Sequence, residues 1–303
     1  MTVKIAGVVL GLAVAGLAST AQAQSVEIDN AVVRVIYRVE NRTDVEVTVA
    51  ETGRADIPAL QIRRVGRNIH IDGLLEGRNR INGCHSRSGA SAPTTPGADA
   101  SVSIRGLGRI DLKDAPLVII KGPRDVSIKT SGGVYGTVAR GADNVAIATG
   151  GCGAWVVGNT SDSINVSIGG SGNVWTGTSR NMQLNIGGSG TVRATRVNDL
   201  AVNIGGSGNV YIGEVRGDMD VRVGGSGNVE VGSGNIGQMQ ARVAGSGSLD
   251  INASVRDLDA TIMGAGNIVV DRVTGNVSRR VVGVGNIRIR NQLLDNVEGG
   301  FTR

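Results

Sequence analysis

Beyond residue 160 the apolar positions fall into short alternating groups that return at nearly constant intervals. Ile164, Val166 and Ile168 form one trio. Met182, Leu184, Ile186, then Leu200, Val202, Ile204, then Met219, Val221, Val223 and finally Leu258, Ala260, Ile262 continue the series. A shorter pair follows each trio: Val174 with Thr176, Val192 with Ala194, Val210 with Ile212, Val229 with Val231, and so on to Ile287 with Ile289. Period-two alternation places such residues on one face of a strand. Glycine turns separate trio from pair, and their leading glycines are 132, 151, 170, 188, 206, 225, 245, 264 and 283, spaced 18 to 20 residues apart.

Such a rhythm predicts an all-β fold: a right-handed parallel β-helix, or solenoid, with coils of about nineteen residues. One coil cannot bury its apolar face alone, so coils stack about 4.8 Å apart around a continuous core. Equivalent positions then form columns. Ser171, Ser189, Ser207, Ser226 and Ser246 make one. Asn173, Asn209, Asn228, Asn267 and Asn286 make another, broken by Thr191 and Ser248, where stacked amides are expected to hydrogen-bond along the axis. The glycines are expected to supply the positive φ of a tight corner. The regular solenoid is read over residues 126–291, with a C-terminal tail over 292–303. Residues 24–125, less regular, read as an irregular β cap of larger coils, interrupted by a Ser/Pro/Ala/Gly loop over 82–100.

The first residues change the compartment. Lys4, the apolar run Ile5 to Ala18 and the small-x-small site Ala21-Gln22-Ala23 read as a Sec-type signal peptide cleaved after Ala23. No cysteine follows to carry a lipid anchor. No later apolar run reaches the roughly 18 residues of a spanning helix. The expectation is therefore a periplasmic or secreted protein without a membrane span after signal removal. In that compartment Cys84 and Cys152 are expected to form a disulfide, which stabilises by about 4 kcal/mol on the chain-entropy model. The alternative, a Cys84–His85 nucleophile, lacks the rest of a catalytic set.

Composition excludes several classes. The 48 glycines follow no Gly-X-Y period, and six aromatic residues leave a core to be built from Val, Ile and Leu. Only four of the 31 basic residues are lysine. The arginine bias suits carboxylate and phosphate on anionic glycans, though base composition alone would produce it. Basic helices, RNA-binding aromatics and zinc spacings are lacking, so no nucleic-acid partner is expected. No cofactor is implied and no metal site is picked out. The turns are similar to the Gly-Gly-x-Gly-x-Asp calcium repeats, but Val174, Val192, Val210 and Val229 stand where the carboxylate is needed.

The stacked motif hydrophobic-x-hydrophobic-Gly-Gly-Ser-Gly-Asn-Val, with Gly151-Cys152-Gly153-x-Trp155, resembles the auto-transporter adhesin head GIN domain family of bacterial exported proteins. The resemblance covers about residues 100 to 290. It implies a β-helical domain with adhesin or envelope roles and brings no catalytic residues. Nothing here looks like a translocator barrel.

Stacking also predicts surfaces. Trp175, Arg193, Tyr211, Glu230, Asp250, Val269 and Arg288 should form one outward column, with the first three an exposed aromatic–guanidinium–aromatic platform for sugar rings. An ordinary cross-strand ladder is the bland alternative. Glu230 and Asp250 have the spacing of a retaining glycosidase pair, but lack walls. Ser167, Asn185, Asn203, Arg222, Arg242, Thr261 and Arg280 form a second column, with Asp220 and Asp259 beside it. It reads as a basic stripe for acidic glycans or as edge protection. Arg216-Gly217-Asp218 spells an integrin tripeptide and reads as a coil turn. The function expected is a non-enzymatic binding or scaffold module of the cell envelope, with glycan or surface-protein partners. The runner-up is a polysaccharide-active enzyme, lyase or glycoside hydrolase.

Overall fold

The computed structural model describes residues 24–77, 80–86 and 92–292. The expected leader, the expected tail from 293 and part of the expected 82–100 loop lie outside the described residues. Strands make up most of the described residues. In chain order the first nine strands are β1 (Ser25–Val39), β2 (Glu46–Glu51), β3 (Gln61–Val65), β4 (Asn68–Asp72), β5 (Ile81–Ser86), β6 (Ala100–Ile104), β7 (Gly108–Asp111), β8 (Leu117–Gly122) and β9 (Asp125–Val138). The regular coils follow: β10 (Asn144–Thr149), β11 (Ala154–Val157), β12 (Ser163–Ile168), β13 (Asn173–Ile186), β14 (Thr191–Ile204), β15 (Asn209–Val215), β16 (Met219–Val223), β17 (Asn228–Val243), β18 (Ser248–Gly264), β19 (Asn267–Val273), β20 (Val277–Gly283) and β21 (Asn286–Gln292).

From β10 on, every coil pairs in parallel with the coil before it, in the register that the repeat predicts. Ile164 lies beside Met182, Met182 beside Leu200 and Leu200 beside Met219. Val174, Val192, Val210, Val229, Leu249, Ile268 and Ile287 run up the other inner wall. The trios and pairs from Ile164 to Val270 are buried and form one core. A third inward run closes the remaining side: Ser179, Val197 and Val215 are successive partners, Val215 then lies beside Gly234, and after a register shift Ile236, Val255 and Val273 continue it. A single apolar residue per coil shows no alternation, so the pattern alone does not announce it.

Two aromatics sit inside the column, against the expectation of a purely aliphatic core. Trp155 is fully buried and lies in register beside Gly136, where an added Cβ would approach its ring to 2.2 Å. Tyr37 fills the space left by Gly122 and donates to the carbonyl of Pro123 at 3.2 Å. Burial pushes its hydroxyl well above the ordinary tyrosine range.

The corners need glycine for a reason other than the one expected. Gly132 and Gly283 do have positive φ, at 93° and 129°, but none of the glycines in the five Gly-Ser-Gly corners does. The parallel ladder instead continues through the corner. Ser189 N–H donates to the carbonyl of Gly170, and Ser207 N–H to that of Gly188, each at 3.0 Å. A carbonyl aimed along the axis leaves no room above it. A Cβ on Gly206 would lie 2.3 Å from the Gly188 oxygen, and one on Gly225 2.1 Å from the Gly206 oxygen. Close axial approach excludes the side chain.

The N-terminal third is partly coiled and partly not. β1 is flanked on both sides: Val26 to Asp29 pair with Ile69 to Asp72 of β4, while the same stretch pairs with β9. Its second half lies between β8 and β9. The first strand of the chain therefore stands inside the stack, and the coil containing β4 and β8 covers its free edge. Two strands then finish this end in antiparallel fashion, β3 on β4 and β2 on β8. Charged side chains along such an edge discourage further pairing. Cys84, expected in a loop over 82–100, lies instead in β5 of a three-stranded antiparallel sheet, β5–β6–β7, docked on the outside of the coils, while residues 92–99 carry no strand. Val102, Ile104, Ile110 and Leu112 pack there against Val32, Tyr135, Ala154 and Trp175 in a second core.

Candidate functional site

The column expected to bind ligand exists in the register read from the sequence: Trp175, Arg193, Tyr211, Glu230, Asp250, Val269 and Arg288 are successive strand neighbours. Its first member is not available. Trp175 is only 9% exposed because it belongs to the core beneath the docked sheet. The platform thus shortens to two residues. The Arg193 guanidinium lies over the Tyr211 ring, 4.2 Å from its centroid. Tyr211 is 36% exposed, while Tyr37, Tyr135, Trp155 and Trp175 are all buried. Among the described residues it is the only exposed aromatic.

Glu230 follows as an exposed carboxylate. Asp250, next in register, accepts from Arg290 Nη2 at 2.8 Å.

The second column is also in register, and two of its arginines are engaged by neighbouring side chains. Arg222 pairs with Asp220 at 2.6 Å, and Arg242 reaches Gln240 at 3.3 Å and Asp259 at 4.0 Å. The carboxylates beside the column draw the guanidiniums toward themselves. Asp220 and Gln240, with Asn165, Gln183, Asp199 and Ala201, line a shallow groove of about 560 Å³ along this face.

Two polar features were not read from the repeat, one at the coil corners and one on neighbouring strands. In one, aspartates cap the next coil: Asp199 Oδ1 accepts from Asp218 N–H at 2.8 Å, Asp218 Oδ1 from Gln238 N–H at 2.8 Å, and Asp257 Oδ1 from Asn276 N–H at 3.1 Å. The Arg216-Gly217-Asp218 stretch is part of this ladder, with Arg216 donating to Glu214 at 2.7 Å. The guanidiniums of Arg216 and then Arg196 hold the Glu214 carboxyl below its usual range. Polar residues spaced by one coil before each trio were the available signal. The asparagine column behaves in part as expected, with Asn228 Nδ2 donating to Asn209 Oδ1 at 3.0 Å.

The second feature joins strands distant in sequence. Glu27, Asp29 and His70 bring their donor atoms within 4.8 Å of one another on neighbouring strands β1 and β4. No sequence spacing links residue 27 to residue 70. Cys84 and Cys152, by contrast, form the disulfide read from the compartment, with Cα atoms 5.5 Å apart. Cys152 sits where the later corners have serine, and the bond ties β5 to the first regular coils.

Among the described residues no helix is long and apolar enough to cross a membrane. A family model described as "Putative auto-transporter adhesin, head GIN domain" matches residues 36–231. No curated protein matches the chain. A solved structure of a "putative cell adhesion protein" from Clostridium sporogenes aligns at 11% identity over 90% of this chain and 94% of that one. Its TM-score of 0.19 is too low to support any comparison of the folds. The family match spans well over half of the sequence, including the docked sheet, the disulfide and the first five Gly-x-Gly corners. The chain belongs to the auto-transporter adhesin head GIN domain family.

Proposed function

We propose that this protein is an exported, non-enzymatic binding module of the bacterial cell envelope, and that its ligand is a glycan engaged at Arg193 and Tyr211. One observation carries the reading. In a chain with so few aromatics, the only exposed one among the described residues stands on an open strand face under a guanidinium. A pyranose ring offers C–H groups to the free aromatic face and hydroxyls to Arg193, Glu230 and Asp250. Family membership agrees with a surface role, and the leader expected over residues 1–23 agrees with export across the inner membrane.

Glycan-array binding by the wild type and by Tyr211→Ala tests this directly. Binding that falls at least tenfold in Tyr211→Ala, without any cleavage of the bound polysaccharide, is the expected result. Unchanged binding in that variant would move the site elsewhere. Turnover lost on Glu230→Gln would make the protein an enzyme instead.

A further inference from the structure

The Glu27–Asp29–His70 cluster lies where the fold departs from sequential winding. β1 is wedged between β4 and β9, and each of the three strands contributes a polar side chain to one outer spot. Glu27 and His70 are direct register partners. His70 Nε2 is 3.1 Å from Asp29 Oδ2, while Ser131 Oγ, on β9, donates to Asp29 Oδ1 at 2.8 Å. Asn30 N–H in turn donates to Ser131 Oγ at 3.2 Å. One carboxylate is thus oriented from behind by a hydroxyl, as hydrogen bonds to metal ligands commonly orient them. The three side chains are 36%, 26% and 29% exposed, open enough for an ion to enter.

We propose that Glu27, Asp29 and His70 bind a single divalent transition ion, zinc by their donor set, and that the ion pins β1 between its two neighbours. One imidazole and two carboxylates are borderline-to-hard donors suited to zinc, with the fourth position left to water. Bonds of about 2.0–2.2 Å require donors roughly 3.5 Å apart, so binding draws the side chains inward from their present span of up to 4.8 Å. The obstacle is Lys129. Its Nζ donates to Glu27 Oε1 at 2.5 Å, and it occupies the β9 position in register with Glu27. Lys129 is 68% exposed and tethered only at its tip. An incoming ion displaces the ammonium into solvent, so lysine and metal compete for the same carboxylate.

Competition distinguishes a metal site from a set of ion pairs. Titration of untagged protein with zinc chloride in a calorimeter should give one saturable site and a raised melting temperature, reversed by a chelator. His70→Ala should weaken zinc binding at least tenfold, whereas His85→Ala, at the other histidine, should leave it unchanged. Lys129→Met should tighten binding severalfold. Circular dichroism of each variant without metal checks that the coils still form. Absence of saturable binding in both wild type and Lys129→Met, or equal binding by His70→Ala, would overturn the proposal.

Discussion

From β10 to β21 each coil rests on the coil made just before it, whereas around β1 the order of stacking departs from the order of the chain. In the regular part, contacts join residues about nineteen apart, and the same few interactions recur: a glycine corner, an aspartate cap, three inward columns. In the N-terminal third, Glu27 pairs in register with Lys129 and Asp29 with Asp72. Closing such long stretches costs more chain entropy. This is also where the disulfide, the docked sheet and the Glu27–Asp29–His70 cluster are found. Repetition stabilises one region, and individual long-range ties hold the other.

Breaking those ties should show the contrast. The largest effect belongs to the disulfide: Cys84→Ser should lower the unfolding free energy by about 4 kcal/mol, because the bond closes a segment of 68 residues. Urea denaturation measures it, and hydrogen exchange should place the loss in β5–β9 rather than in β17–β21. In the regular coils the sensitive atoms are the corner glycines. Gly206→Ala should cost about 3 kcal/mol, since its Cβ meets backbone carbonyls that cannot yield. Gly205→Ala, one residue earlier and with nothing within 4 Å of the added carbon, should change stability by less than about 0.5 kcal/mol.

A pH titration sharpens the comparison between the second core and the coils. Burial of Tyr135 beneath the docked sheet raises its hydroxyl from 10.0 to about 12. A folded-state value above the unfolded one favours the neutral form. The contribution is therefore complete below pH 10 and is lost as pH climbs from 10 to about 12, on the order of 2 to 3 kcal/mol in all. Tyr135→Phe should abolish that part of the alkaline destabilisation. The smallest effect expected is at a polar corner. Asp218→Ala removes the acceptor for one backbone N–H of the next coil and should cost about 1 kcal/mol by thermal unfolding.

The same contrast explains what could be read from the residues. The register of Trp175, Arg193, Tyr211, Glu230 and Asp250 was legible because a nineteen-residue spacing and parallel stacking leave no freedom. The burial of Trp175 was not, because it depends on β6 and β7, whose alternation is short and whose docking place no local pattern encodes. The glycine corners were found by their spacing, yet their cause was misassigned: φ is a local property, while the carbonyl that excludes Cβ belongs to another coil. The Cys84–Cys152 bond was legible from compartment and count. The intercalation of β1 and the meeting of Glu27 with His70 were not, since nothing short-range joins them. The pairing of Arg222 with Asp220 and the approach of Arg242 to Asp259 were not read either, since the spacing of the column says nothing of how side chains lean within it.

Everything said of the outward surface depends on coils stacked one above the next without slippage. Paired cysteines test that most directly: adjacent parallel strands place register partners within the span a disulfide accepts. Oxidising Glu230→Cys/Asp250→Cys should close a new bond in nearly every molecule beside the native one, whereas Tyr211→Cys/Asp250→Cys, two coils apart, should leave both thiols free. Efficient bonding of the second pair with none in the first would contradict the account.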